Sequence, residues 1–105
     1  MDDCIFCKIV KGEIPSSQVY EDESYLAFKD INPSAPVHLL VIAKEHSARL
    51  DDLLDESGAA ALGRLFEAAV KTARANGLRD YRLGVNVGKE AGQDVFHTHV
   101  HVLGG

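Results

Sequence analysis

The order of elements along the chain predicts an α+β fold built on one antiparallel, five-stranded sheet. Five apolar segments of strand length are accompanied by one short and one long helical segment. They do not alternate as βαβ units would, which disfavours a parallel sheet. With 105 residues and 46% hydrophobic content, the chain is expected to form a single domain, residues 1–105, around one core.

The first elements are a short helix and a β-hairpin. The helix is expected over residues 4–10, ends at Gly12, and is followed by a turn. Residues 19–21 and 25–29 read as two strands joined by a polar turn.

A loop at residues 30–36 follows the hairpin, because its two prolines suit neither a ladder nor a helix interior. The apolar run at residues 37–43 then reads as a central strand, interrupted by a single histidine, His38.

The long helix has an apolar stripe at helical spacing, expected to lie on the sheet. Asp55 is the expected N-cap, Glu67 and Lys71 form an i,i+4 pair, and Asn76-Gly77 ends the helix. The stripe consists of Leu62, Leu65, Phe66, Ala69, Val70 and Ala73.

The last two strands enclose a glycine-bearing loop. Residues 81–87 and 95–103 read as strands, and residues 88–94 as the loop between them. Gly88 and Gly92 lack a Cβ, so backbone N–H groups there can approach a phosphate closely, although ordinary turn chemistry also explains them.

Charge and hydropathy exclude several classes of partner. The formal net charge of −5 disfavours non-specific binding to nucleic acid or to an anionic membrane, both of which need a basic face. The chain starts without the features of a signal peptide and has no run of 18 apolar residues. These observations predict a cytoplasmic protein with neither nucleic-acid nor membrane partners.

A row of histidines is the most specific chemical feature. His97, His99 and His101 recur at a spacing of two, which on a β-strand places the three imidazoles on one face. Neutral imidazole attacks phosphorus, transfers protons or binds metals near neutral pH. The alternative, a surface strand or a tag remnant, fits poorly with the interleaved Thr98 and Val100.

Two cysteines near the start, Cys4 and Cys7, form a C-x-x-C pair. In a reducing compartment such a pair points to metal binding or redox work, with buried free thiols as a third interpretation. A thioredoxin-type pair is expected between a strand and a helix, whereas this one begins the chain.

The motif from Gly92-Gln93 to His97-Thr98-His99-Val100-His101-Val102 resembles the signature of the histidine triad superfamily. The similarity extends through residues 5–6, 28–33, 35–38 and 43–46 and is greatest to the Hint branch, the histidine triad nucleotide-binding proteins. It implies a HIT-like fold, a homodimer with a ten-stranded sheet, and a purine nucleoside phosphoramidase. Such an enzyme cleaves at the α-phosphorus through a nucleotidylated histidine.

The same resemblance implies roles for individual residues. His99 matches the nucleophile, with its tautomer set by the backbone carbonyl of His97, and His101 and His38 match the other active-site histidines. Residues matching nucleotide contacts are Phe6, Phe28 and Ile31 for the base, Asp30 for the ribose, and Asn86, Gly92, Gln93 and Asp94 around the phosphate.

Asp94 departs from the family pattern, since many relatives carry Ser or Thr there. A hydroxyl donates to phosphate, whereas an ionised carboxylate only accepts and repels it. The departure is expected to alter the affinity for anionic substrates or the preferred leaving group.

Cys4, Cys7, His46 and His97 together make a Cys₂His₂ set, the composition of a closed structural zinc site. Some branches of the superfamily carry zinc at matching positions. The metal would hold the first helix against the sheet, while His99 does the chemistry.

Other functions compete with the phosphoramidase. The same histidine would serve a dinucleoside polyphosphate or acyl-adenylate hydrolase, and a nucleotide-binding scaffold with vestigial catalysis would keep the pocket without turnover. A purely structural zinc module leaves Asp30 and His38 unexplained.

Overall fold

One antiparallel sheet of five strands organises the chain, as predicted. The computed structural model describes residues 3–105. The strands are β1 (Gln18–Glu21), β2 (Tyr25–Lys29), β3 (Val37–Ala43), β4 (Tyr81–Gly84) and β5 (His99–Gly104), in the spatial order β1-β2-β3-β5-β4. The helices are α1 (Ile5–Val10), α2 (Leu50–Ser57) and α3 (Ala59–Ala75), with a 3₁₀ turn at Lys89–Ala91.

The pairing of β3 with β5 gives the sheet two different faces. Leu40 lies opposite His101 and Ile42 opposite His99, so these residues share one face. Val100 and Val102, which alternate with the histidines, belong to a core cluster on the other face. The alternation predicted from the sequence therefore separates the histidines from the main core.

Helix α3 covers the face opposite the histidines. Its buried line runs through Leu65, Ala69 and Ala73, with the larger Phe66 and Val70 partly buried beside it. Small alanines let the helix approach the sheet closely. The predicted pair on the polar side is present, with Lys71 Nζ 3.7 Å from a Glu67 carboxylate oxygen.

The prediction of Asp55 as the N-cap of the long helix is wrong. Asp55 lies inside α2, an additional short helix that ends when the Gly58 N–H donates to the Leu54 carbonyl at 2.8 Å. Gly58 has φ of 83° and precedes α3 without a side-chain cap. A left-handed glycine breaks the helical run here, because residues with a Cβ rarely adopt that conformation.

Three predicted element ends also shift. Helix α1 starts at Ile5, with Cys4 as its N-cap accepting the Cys7 N–H at 3.3 Å. Strand β4 ends at Gly84 rather than at residue 87, and β5 begins at His99 rather than at residue 95. The N–H of Thr98 donates to the Ser47 carbonyl at 2.8 Å instead of joining the ladder.

The histidine face is covered only in part, by α1. Phe6 and Ile9 pack there on Phe28, Leu40 and Ile42. A cleft stays open beside this contact. Among residues 3–105, no helix combines the length and the apolar character needed to cross a membrane.

Candidate active site

The open cleft has a volume of about 690 Å³ and is bounded by α1, the turn before β1 and the loop after β2. Its apolar wall includes Phe6, Phe28 and Leu40. Its polar lining includes Lys29, Asp30, Asp94, His99 and His101. An apolar cleft with a few converging polar groups is the usual form of a small-molecule site.

His99 presents one ring nitrogen to this cleft. Its side chain is only 3% exposed, and Nδ1 lies 2.8 Å from the backbone carbonyl of His97. Because a carbonyl only accepts, Nδ1 carries the proton and Nε2 keeps its lone pair. The edge of the His99 ring packs against Phe6, with ring centroids 5.2 Å apart and planes at 88°.

A chain of hydrogen bonds sets the tautomers of the other two histidines. The backbone N–H of Ser34 donates to His38 Nδ1 at 3.1 Å, so the proton of a neutral His38 is on Nε2. That N–H donates to His101 Nδ1 at 2.8 Å. The proton of His101 is therefore on Nε2, which has no partner within the described residues.

The surroundings of His101 favour its neutral form. Burial lowers its pKa, and the neighbouring His99 and His38 lower it further. Rings of His99 and His101 lie 5.0 Å apart between centroids. The site thus pairs a lone-pair nitrogen on His99 with an N–H donor on His101.

Asp30 belongs to the same hydrogen-bonded group. One carboxylate oxygen accepts the Asn32 N–H at 2.8 Å, and the other lies 3.3 Å from His38 Nε2. The carboxylate is thereby held at the edge of the cleft, near the end of β2.

Asp94 lies at the open end of the cleft. Its side chain is 84% exposed, and a carboxylate oxygen is 3.9 Å from His99 Nε2. That separation is too long for a hydrogen bond. It does place a negative charge beside the Nε2 lone pair of His99.

The glycine-bearing loop is held by Gln93. The Gln93 side-chain amide donates to the carbonyls of Ala48 and Val95 at 2.7 and 3.0 Å, and its carbonyl accepts the Gly88 N–H at 2.8 Å. The Gln93 backbone N–H donates to the Gly88 carbonyl at 3.0 Å. These bonds occupy the donors of Gln93, so the structure gives it a positioning role in the loop.

Asn86 and Gly92 lie together at the outer side of this loop. The Asn86 amide donates to the Gly92 carbonyl at 3.4 Å. Gly92 has φ of 98°, a left-handed conformation that favours glycine. Neither residue lines the open cleft.

The three residues expected to contact a base differ in their exposure. Phe6 and Phe28 pack edge to face with ring centroids 5.3 Å apart, and both are buried. Ile31, by contrast, is 91% exposed at the rim. A side chain so exposed in the free protein is available to cover a ligand.

A second cluster of cysteines and histidines includes His97, two residues before the start of β5. The ligand atoms of Cys4, Cys7, His46 and His97 all lie within 4.8 Å of one another. His97 Nδ1 is 3.4 Å from Cys4 Sγ, 3.5 Å from Cys7 Sγ and 3.3 Å from His46 Nδ1. In a tetrahedral zinc site, ligand atoms are about 3.3 to 3.8 Å apart. The cluster therefore fits a tetrahedral cation.

The orientation and neutral form of the His97 ring also suit a cation. The Nε2–H of His97 donates to the Ala43 carbonyl at 2.8 Å, which leaves the Nδ1 lone pair facing the thiols. Burial lowers the pKa of His97 to about 4. Burial and the adjacent Cys4 raise the pKa of Cys7 to about 11, which disfavours the thiolate. A bound cation would offset this, because it stabilises the thiolate form.

Two positioning contacts were missed by sequence reasoning. The hydroxyls of Ser47 and Thr98 are buried and 2.9 Å apart, joining the His46 loop to the segment between His97 and His99. The Ser34 N–H, which orients His38, is the other. Nothing in the sequence marked either, because both depend on which loops the fold brings together.

Comparison with known families identifies the fold. The family model described as the HIT domain matches residues 11–105, most of the chain. The chain belongs to the HIT domain family. The matched residues include His97, His99 and His101.

Curated relatives and solved structures agree with this assignment. The chain is 47% identical over 105 residues to protein HitA of Neisseria gonorrhoeae, covering 99% of this chain and 97% of that protein. A HIT family hydrolase from Clostridium thermocellum superposes with a TM-score of 0.92 at 50% identity, covering all of this chain and 92% of that one. A HIT family hydrolase from Legionella pneumophila gives 0.89 at 47% identity, with coverages of 98% and 93%.

Proposed function

We propose that this HIT protein is a hydrolase of the Hint type that cleaves purine nucleoside phosphoramidates. The observation that carries the proposal is the setting of His99, whose Nδ1–H is bound to the His97 carbonyl while Nε2 faces an apolar cleft. This arrangement presents a neutral imidazole lone pair to a ligand, as nucleophilic attack requires. The hydrolase names of the similar structures support the reaction class.

In the first step, the Nε2 lone pair of His99 attacks the α-phosphorus. A P–N bond to His99 forms, and the P–N bond to the leaving amine breaks with its electron pair staying on the amine. The amine takes a proton from solvent, which reaches the site beside the exposed Asp94. The carbonyl of His97 stabilises the positive charge that develops on the His99 ring.

In the second step, water attacks the phosphorus of the nucleotidylated His99. The P–N bond to His99 breaks, its electron pair returns to Nε2, and the proton from water passes to solvent. The Nε2–H of His101 is placed to donate to a phosphate oxygen in both steps. His38 keeps His101 in the tautomer that this contact needs.

The cleft accounts for the rest of a nucleotide. Phe6, Phe28 and the exposed Ile31 offer apolar surface to a purine, and the Asp30 carboxylate is suited to accept from two ribose hydroxyls. The loop before β5 contains Gly92, Gln93 and Asp94 and is preceded by Asn86. We predict that this loop contacts the phosphate.

We infer that the metal of the Cys₂His₂ cluster is structural zinc. Borderline-soft zinc favours thiolate and imidazole ligands, and four protein ligands leave no open position for substrate. Cys4 at the N-cap of α1 and Cys7 within it would be linked to His46 and His97 on two loops. Zinc would supply cross-linking of these segments and no step of the reaction.

A homodimer completes the proposal. Strand β4 is at the edge of the sheet, and two copies pairing through this edge would form a ten-stranded sheet. Light scattering coupled to size-exclusion chromatography tests this, because a monomer at micromolar concentration would contradict it.

Intact mass spectrometry tests the chemistry. After mixing with an adenosine phosphoramidate and rapid acid-free quenching, we expect a protein species heavier by one adenylyl group, and AMP in solution. Its absence together with AMP release would argue for direct attack by water. Tight AMP binding without turnover would instead favour a scaffold.

Relative kcat/KM separates the competing hydrolase. The Asp94 carboxylate beside His99 disfavours a polyphosphate leaving group by charge repulsion. We therefore expect an adenosine phosphoramidate to be turned over more efficiently than a dinucleoside polyphosphate. The reverse order would reassign the substrate class.

A further inference from the structure

We call the open cleft lined by Phe6, Phe28 and His99 the nucleoside cleft. A second cleft meets it beside His99. It has a volume of about 360 Å³, and its walls include Asp3, Ala48 and Phe96. Ile5, Asp94 and Val95 line both clefts. The two spaces therefore join at Asp94, whose carboxylate is 3.9 Å from His99 Nε2.

The walls of the second cleft are suited to a cation. Among the described residues its carboxylates are those of Asp3 and Asp94, and neither Lys nor Arg lines it. Phe96 is 43% exposed, so part of its ring is available to a positive group. His46, which also lines the cleft, has its Nδ1 in the metal cluster.

The junction of the clefts is where a leaving group would depart. The buried side chain of His99 directs Nε2, which has no hydrogen-bond partner among the described residues, toward the nucleoside cleft. A nucleoside against Phe6 and Phe28, with its phosphorus at Nε2, directs the leaving amine away from Nε2, and Asp94 borders the remaining space. The second cleft is the adjoining space for it.

We propose that this second cleft is a leaving-group subsite that selects phosphoramidates whose amine carries an additional positive charge. The inference rests on the proposed phosphoramidase function and names the substrate class within it. An ammonium group would offset the repulsion between Asp94 and the substrate phosphate, with Asp3 and Phe96 adding to the attraction. An anionic leaving group would meet two like charges and be rejected.

Three adenosine phosphoramidates of nearly equal shape test the subsite. Their leaving amines are diaminobutane, with a free ammonium end, pentylamine, which is neutral, and aminobutyrate, which is anionic. We expect kcat/KM to fall in that order, by about fivefold at each step at low ionic strength. The spread should narrow in high salt, because exposed charges are screened.

Substitutions assign the charge preference to named residues. Asp94→Asn, which keeps the shape and removes the charge, should bring the three substrates within about twofold, and Asp3→Asn should have a smaller effect in the same direction. Phe96→Leu should reduce only the advantage of the ammonium substrate. Asp55→Asn makes the same change of charge on an exposed residue lining neither cleft and should leave the order intact.

Failure of the subsite proposal and failure of the proposed phosphoramidase function give different results. Equal turnover of the three substrates by the wild-type protein, or an unchanged order in Asp94→Asn, overturns the subsite while leaving the phosphoramidase intact. Failure to turn over any of the three, including the neutral one, overturns the proposed function and the subsite together.

Discussion

At the scale of single residues, the site depends on which ring nitrogen carries a proton. Backbone groups decide this for three histidines. The His97 carbonyl sets the tautomer of His99, and the Ala43 carbonyl sets that of His97. The Ser34 N–H sets the tautomer of His38. Each imidazole is thereby prepared for a different task before any ligand binds.

The first residue-scale prediction concerns the nucleophile. His99→Ala should abolish turnover and the nucleotidylated species, while the fold and AMP binding survive, because the apolar face of β5 and the loop before it are untouched. Circular dichroism and AMP calorimetry serve as controls. Activity within tenfold of wild type would exclude His99 as the nucleophile.

The second concerns Asp94. Asp94→Ser should tighten AMP binding by about 1 kcal/mol, because it removes a charge beside the phosphate and adds a hydroxyl donor. Calorimetry on the wild type, Asp94→Ser and the remote Asp55→Ser measures this. Equal or weaker affinity in Asp94→Ser would show that the carboxylate turns away from bound phosphate.

At the scale of elements, short connections carry as much as helices and strands. Residues 85–87 and 95–98 were expected to extend two strands, but Gln93 and the Ser47–Thr98 pair hold the segment between β4 and β5 off the sheet. Leaving the ladder lets His97 enter the metal cluster while His99, two residues later, enters the cleft.

An element-scale prediction follows for Gln93. Gln93→Ala should lower the free energy of unfolding by about 2 kcal/mol, because it leaves the Gly88 N–H and two carbonyls without partners. Chemical denaturation measures the loss. Gln93→Glu, similar in size but unable to donate to the carbonyls when ionised, should not restore stability. Stability of either variant equal to wild type would remove the anchoring role.

The metal cluster links α1 to two loops, and its removal is also an element-scale change. Cys7→Ser should lose zinc and melt several degrees lower, since the binding free energy of structural zinc is folding free energy. Turnover at low temperature should largely persist, because His99 is not among the four ligands. Elemental analysis finding no zinc in chelator-free wild type, or an unchanged melting temperature in Cys7→Ser, would refute the site.

At the scale of the whole molecule, the sheet separates stability from chemistry. One face packs on α3 and forms the main core, whereas the other carries the histidines, the cleft and α1. Substitutions on the first face are therefore expected to change the melting temperature before they change substrate binding.

A whole-molecule prediction concerns pH. The pKa of His97 is lowered to about 4 by burial, and that of His101 is also lowered. Between about pH 6.5 and 4 the unfolded chain binds more protons than the folded chain, so stability falls as pH falls through this window. Above about pH 6.5 these groups should contribute no pH dependence. Denaturation of chelator-treated protein across this range measures it, and stability that is flat or rises on acidification would contradict the burial of neutral imidazoles.

Local sequence patterns were enough to predict the fold class, most strands, the long helix and the separation of the histidines from the main core. These follow from local periodicity: alternation along residues 99–103 and the helical stripe through Leu65 and Ala69 are properties of neighbouring positions. The family motif likewise indicated which residues to place together. Their roles in catalysis and nucleotide binding stay predictions.

Three-dimensional contacts were needed to find the helix break at Gly58, the late start of β5, the hydrogen-bond chain from Ser34 to His101 and the two clefts that meet at Asp94. Each depends on contacts between segments far apart in sequence, or on one backbone conformation among several that the local residues allow. The physical reason is that hydrogen-bond partners and open spaces arise from packing, which no local pattern of residues encodes.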